Sequence, residues 1–196
     1  GIGGATLDRI EFIDYGTDPS AWIAAIESEE VDMLYQNVNE FIEIGDAIGW
    51  EKSEVVTGAT VVLRFNQQTL VGDKPPYADL KVRKALQMAV DPAVILELGY
   101  AGYGTVAEHP HVCPIHPEYA EIPKVPVDPA AAKQMIADAG HADTTFELIS
   151  IDDQWQTESC DAVAAQIDQS VGRAQIHPDI DLKGAVQPVA QAIAVP

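Results

Sequence analysis

Apolar residues recur along this chain at two periods, one near 3.6 and one near 2. Three segments open on the dipeptide Asp-Pro and continue with apolar residues at helical spacing. Asp18-Pro19 leads to Trp22, Ile23 and Ile26, Asp91-Pro92 to Ile95 and Leu98, and Asp128-Pro129 to Ala132, Met135 and Ile136. An Asp side chain accepts from the free amides of a first helical turn, and Pro suits the first helical position. Each Asp-Pro therefore predicts a helix start. Leu80–Val90 predicts an amphipathic helix, with Val82, Ala85, Leu86 and Ala89 on one stripe and Lys81, Lys84 and Gln87 elsewhere. Val38–Ile48 reads as helical, as does Asp152–Val171 with Trp155, Ala162, Val163, Ile167 and Val171 turned inward. Strands are expected at Asp8–Tyr15, Val31–Tyr35, Trp50–Val56, Ala59–Asn66 and Phe146–Ile151, with Thr57-Gly58 breaking the middle pair. Strands alternating with helices predict an α/β chain.

Between these elements lie two loops and an unpatterned tail. Gln67–Tyr77 is polar, with Gly72 and Pro75-Pro76, and marks the expected internal boundary. Gly99–Pro129 holds six of the thirteen prolines, so it is expected to be irregular. A loop of that length is usually functional or covers another surface. Gly172–Pro196 shows no clear period.

Composition adds bounds. The 196 residues are 47% hydrophobic and 21% charged, an ordinary globular mix rather than a disordered one. The apolar runs, such as Val55–Leu63, are too short to cross a bilayer. Eleven basic residues against 31 acidic ones give a formal charge of −20. Such a chain repels phosphate backbones and anionic lipid, so no nucleic-acid partner is expected. Four of the eleven basic residues fall in Lys74–Lys84, a local positive face expected to be solvated or ion-paired. The spacing of Cys113 and Cys160 establishes no disulfide, and two free or buried thiols are expected. Gly1-Ile-Gly-Gly has neither a basic nor an apolar leader region, so an export signal is not in this chain.

The order of elements resembles a known family. The stretch LDRIEFIDYGTDPSAWIAAIESEEVDMLYQNV is similar to a strand, Asp-Pro-Ser helix and short strand of the family 5 solute-binding proteins, the peptide- and nickel-binding receptors of ABC importers. The stretch VLRFNQQTLVGDKPPYADLKVRKALQMAVDPAVILELGYAGYGTVA resembles that family's most diagnostic block. HPEYAEIPKVPVDPAAAKQMIADAG and FELISIDDQWQTESCDAVAAQI resemble the loop, helix, strand and helix that follow. The resemblance implies part of a two-lobe, type II periplasmic-binding-protein-like fold. Residues 1–68 would be the end of the first lobe, 69–76 the crossover or hinge, 77–171 the start of the second lobe, and 172–196 a divergent tail. It also implies an extracytoplasmic, non-catalytic protein. A peptide or similar small solute and a membrane ABC permease are its expected partners, with no cofactor. Because family members are longer, a truncated piece that self-associates is expected.

Candidate chemistry falls at three places. By the resemblance, ligand contacts map to Tyr35, Gln36 and Asn37, and to Thr57, Gly58, Ala59 and Thr60. Polar residues at strand ends offer donors and acceptors on a fixed scaffold, although each also fits a solvated turn. The densest cluster is His109, His111, Cys113 and His116, whose H-x-H-x-C-x-x-H spacing supplies four soft or borderline metal ligands. Pro110, Pro114 and Pro117 weigh against it, since no helix or strand presents the four on one side. A metal-binding protein using this loop, or a remnant without ligand, is the alternative. Catalysis is not expected. Cys160 lies mid-helix, Cys113 has no helix N-terminus behind it, and no G-x-S-x-G occurs. Arg83 sits off the apolar stripe, where its fork can hold Asp79, Asp91 or loop carbonyls.

Overall fold

The computed structural model describes residues 4, 6–16, 18–35, 37, 40–58, 60–106, 112–151, 154–178 and 190–193. All three Asp-Pro starts are helix starts. Asp18 caps α1 (Pro19–Glu27) by accepting from the Ser20 amide, and Asp91 caps α4 (Pro92–Tyr100) through Ala93. Asp128 caps α5 (Pro129–Asp138) through Ala131, and α5 stops before Gly140 at φ 79°, a left-handed turn that suits glycine. The remaining helices are α2 (Glu40–Ala47), α3 (Leu80–Ala89) and α6 (Gln154–Ser170), with a short 3-10 turn at Pro76–Ala78.

One mixed sheet of four strands forms the centre. Its members are β1 (Val62–Arg64), β2 (Thr145–Ser150), β3 (Arg173–Pro178) and β4 (Ala190–Ile193), in the order β1-β4-β2-β3. β2 runs parallel to β3 and to β4, and β1 closes antiparallel on β4, with Leu63 opposite Ala192. β2, α6 and β3 form a βαβ unit, the connection that parallel strands require. The core lies between this sheet and the helices. The expected stripe Val82, Ala85, Leu86 and Ala89 is buried, and it packs with Ile136, Phe146, Leu148, Val163, Ile167 and Val171. Side-chain burial of this kind contributes roughly 1.5–3 kcal/mol for each large aliphatic or aromatic residue. Tyr77 fills the middle, its ring centroid 5.7 Å from Phe65 and 6.2 Å from Phe146. Its hydroxyl accepts from the Glu147 amide at 3.2 Å and donates to the Glu147 carbonyl at 3.3 Å, tying the ring to β2. Burial pushes the Tyr77 phenol up to about 12. Arg83 donates to the carbonyls of Tyr77 and Ala78 at 2.7 and 3.0 Å, the loop-carbonyl alternative of its expected roles.

The strands expected early in the chain do not form. Asp8–Tyr15, Val31–Tyr35 and Trp50–Val56 are irregular, and Ala59–Asn66 contracts to the three residues of β1. A strand needs a neighbour for its amides and carbonyls, and among the described residues none pairs with these segments. Most of their apolar residues stay exposed accordingly, Phe12 at 91%, while Val31, Leu34 and Trp50 are half-buried. The reverse holds at the other end, where β3 and β4 occupy a stretch without visible period. The side chain of Trp155 lies outside the described residues.

Candidate functional site

The first candidate segment follows α1. Tyr35 is exposed, Gln36 lies outside the described residues, and Asn37 is half-buried. Asn37 Nδ2 donates to the Phe41 carbonyl at 2.8 Å, which fixes the side chain against the start of α2. Its Oδ1 is buried without a hydrogen-bond partner among the described residues. A buried acceptor left open costs about 1–3 kcal/mol, so this oxygen is the polar atom of the segment with the most to gain from a donor.

The second segment leads into β1. Thr57 and Gly58 are exposed, Ala59 lies outside the described residues, and Thr60 is half-buried with Oγ1 donating to the Gly58 carbonyl at 3.5 Å. Gly58 is where a distant loop arrives. A Cβ on this residue would stand 2.9 Å from His116 Nε2 and 3.0 Å from its Cε1. Only a glycine admits the imidazole ring so close.

The proline loop is more ordered at this point than its sequence suggests. The His116 amide donates to the Cys113 carbonyl at 2.9 Å, closing a Cys-Pro-Ile-His turn, and Tyr119 closes a second turn on His116 at 3.1 Å. Pro114 and Pro117 each occupy the second position of a turn, where a fixed φ is an asset. The first turn brings Cys113 Sγ and His116 Nδ1 to 3.1 Å. The Cys113 amide and carbonyl also lie 3.1 and 3.3 Å from the same Nδ1, so this nitrogen faces Cys113 in either tautomer. Both residues are half-buried. No helix or strand presents this pair; the turn alone brings Cys113 and His116 together. His109 and His111 lie outside the described residues, and among the described residues no group of three or more metal-ligating side chains converges.

Cys113 and Cys160 are both free thiols. Cys160 is buried on α6, where desolvation pushes its thiol up against the opposing hydrogen bond of Ser150. That environment makes it inert. Ser159 beside it packs directly onto Gly99 of α4, so the α4–α6 interface is a close helix crossing rather than a cleft.

These features belong to part of a known architecture. Its class is the two-lobe binding protein. NikA from Brucella suis, solved in complex with Fe(III)-EDTA, matches with a TM-score of 0.68 at 20% identity, over 85% of this chain and 36% of that one. The oligopeptide-binding protein AppA from Bacillus subtilis, solved with a nonapeptide, matches with a TM-score of 0.64 at 18% identity, over 91% and 39%. The chain belongs to the bacterial extracellular solute-binding proteins, family 5, whose family model matches residues 1–187. Heme-binding protein A of Haemophilus influenzae is 44% identical over 140 residues, 71% of this chain and 24% of that protein. The probable peptide ABC transporter periplasmic-binding protein y4tO of Sinorhizobium fredii is 26% identical over 190 residues, 90% and 34% respectively. The chain thus spans about a quarter to a third of the length of these relatives. The family is one of transport receptors, extracytoplasmic and non-enzymatic, that serve ABC importers.

Proposed function

We propose that this chain carries part of the solute site of an ABC-importer receptor, taking a peptide or similar small solute between two lobes and passing it to a membrane permease. The observation that carries the reading is the family match across residues 1–187. Tyr35, Gln36 and Asn37, with Thr57, Gly58, Ala59 and Thr60, are the proposed contacts. The open Oδ1 of Asn37 supports an acceptor for a peptide amide, and the strand entry at residues 57–60 suits main-chain pairing. Residues 1–68 are proposed as the end of one lobe, with β1 reaching into the next lobe's sheet. Residues 69–76 are the proposed hinge, 77–171 the start of the second lobe, and 172–196 a divergent tail. Exposed apolar residues such as Phe12 at 91% and Val56 at 74% support a covered face, and self-association is the proposed cover in this chain. Sedimentation showing only monomer at high concentration would remove that part.

A second reading, a heme ligand, is favoured by the 44% identity to Heme-binding protein A. Calorimetric titration with a mixed short-peptide pool and, separately, with hemin tests both. Heat from peptide that weakens in Asn37→Ala and Thr60→Ala supports the first reading, and hemin heat alone supports the second. Heat from neither leaves a remnant that binds nothing and overturns both.

A further inference from the structure

We propose that the Cys-Pro-Ile-His turn is a metal site, in which Cys113 Sγ and His116 Nδ1 together chelate one thiophilic cation of the Zn2+ class. The proposal is independent of which solute the receptor takes. A sulfur and an imidazole nitrogen already 3.1 Å apart offer a cation both donors at once. Tetrahedral zinc with ordinary Zn–S and Zn–N lengths sets its sulfur and nitrogen about 3.6 Å apart. The pair therefore opens by about 0.5 Å, within reach of a small rotation of the Cys113 side chain. Metal binding uses the lone pair of Nδ1, so the contacts of that nitrogen with the Cys113 amide and carbonyl at 3.1 and 3.3 Å are given up.

Two features make this a built arrangement rather than a chance neighbour pair. The backbone is closed by the His116 amide on the Cys113 carbonyl, with Pro114 fixing the turn between them. The far side of the imidazole is seated against Gly58, where any Cβ would collide with it. The ring is thereby held with Nδ1 toward the sulfur and Nε2 toward residues 57–60. The donor set of one thiolate and one imidazole selects Zn2+, or Co2+ as its spectroscopic substitute, over Mg2+ and Ca2+, which take oxygen ligands. The remaining coordination positions fall to water or to donors of a third group. His109 and His111 precede in sequence, and the proposal stands without them.

Cobalt titration of the purified chain tests it. Thiolate coordination to Co2+ gives an intense near-ultraviolet charge-transfer band. We expect that band to saturate at one equivalent, to be bleached by Zn2+, to vanish in Cys113→Ser and to persist in Cys160→Ser. His116→Ala should weaken cobalt binding at least about tenfold, with His116→Gln as the second variant should the ring be needed to fill the space at Gly58. Absence of the band in the wild type, its survival in Cys113→Ser, or unchanged affinity in a folded His116 variant overturns the site.

Discussion

Gly99 decides how closely α4 and α6 pack. A Cβ there would overlap Ser159 Oγ and stand 3.0 Å from Ser159 Cα and 3.1 Å from its Cβ. The hydroxyl could rotate away, but the backbone carbon cannot. Carbon atoms pack best at about 3.5–4.0 Å, so Gly99→Ala forces the helices apart by about half an ångström. Overpacking of this kind costs about 1–3 kcal/mol, whereas exchanging glycine for alanine in a helix returns up to about 1 kcal/mol. The steric term is larger, and the expected net loss is about 1–2 kcal/mol. Gly45 of α2 is the matched control, because a Cβ there meets only Asn37 Nδ2 at an ordinary 3.9 Å. Gly45→Ala should therefore stabilise by about 0.5–1 kcal/mol. Urea unfolding followed by circular dichroism measures both at constant slope. Ser159→Gly in the Gly99→Ala background should recover part of the loss, since it removes the crowding side-chain atoms and leaves the backbone of α6 where it is. Gly99→Ala as stable as wild type, or shifted in the same direction as Gly45→Ala, would refute the close crossing.

Three further outcomes follow from the packing around the sheet. Tyr77 is held neutral, about 12 folded against 10 in the unfolded chain, so its contribution is complete below pH 10 and is lost as pH rises through 12. Wild type should lose about 2–3 kcal/mol across that window in alkaline urea titrations, and Tyr77→Phe should lose much less while starting lower at pH 7. Gln166 Oε1 accepts from the Asp91 amide at 2.8 Å and its Nε2 donates to the Asp91 and Ala162 carbonyls at 3.4 and 3.2 Å, so Gln166→Ala strands a half-buried amide. A loss of about 1–3 kcal/mol in equilibrium unfolding is expected. Asp128→Ala removes the acceptor of the Ala131 amide at 2.9 Å and should cost about 1 kcal/mol, with Asp128→Asn retaining most of it.

Helices were legible wherever the cap and the stripe agreed. Asp91-Pro92 and Asp128-Pro129 carry a cap, a preset φ and a following apolar period within a few residues, and all three are local properties. The Leu80–Val90 stripe needed only its own periodicity to predict which four residues are buried. Strands failed because pairing is not local. Asp8–Tyr15 has alternation but no partner strand among the described residues, while β3 needs only to lie beside β2 and takes its order from Phe146–Ser150. At the candidate site, Thr57 and Thr60 could be marked by their place before a strand. The neighbour of Gly58 could not, since His116 is 58 positions away in sequence and nothing in either segment announces the other. Cys113 and His116 stood out in sequence as part of a ligand-rich cluster, but the prolines around them read first as breakers that weigh against it. At the second position of a turn proline is a positioning device, and a spacing of three residues is what a closed turn brings together.

The long proline loop is best understood through its anchors. Where it begins, the Gly102 amide donates to Leu96 at 3.1 Å, and where it ends, the Asp128 amide donates to Met88 at 2.8 Å. Both ends are thus tied to the α3–α4 corner, on opposite sides of the bend at Asp91. Between them, the described residues 112–119 are two successive turns resting by one imidazole on Gly58. The strand entry at Gly58 and the cysteine turn therefore meet at one contact, where a ring lies against a backbone. It follows that Gly58→Ala should disturb both proposals at once. It displaces His116, which loosens the Cys113–His116 pair, and it shifts the edge carrying Thr57 and Thr60 that is proposed to meet the solute. A Gly58→Ala chain that keeps its fold, its cobalt band and its solute affinity unchanged would separate the two surfaces and break this link.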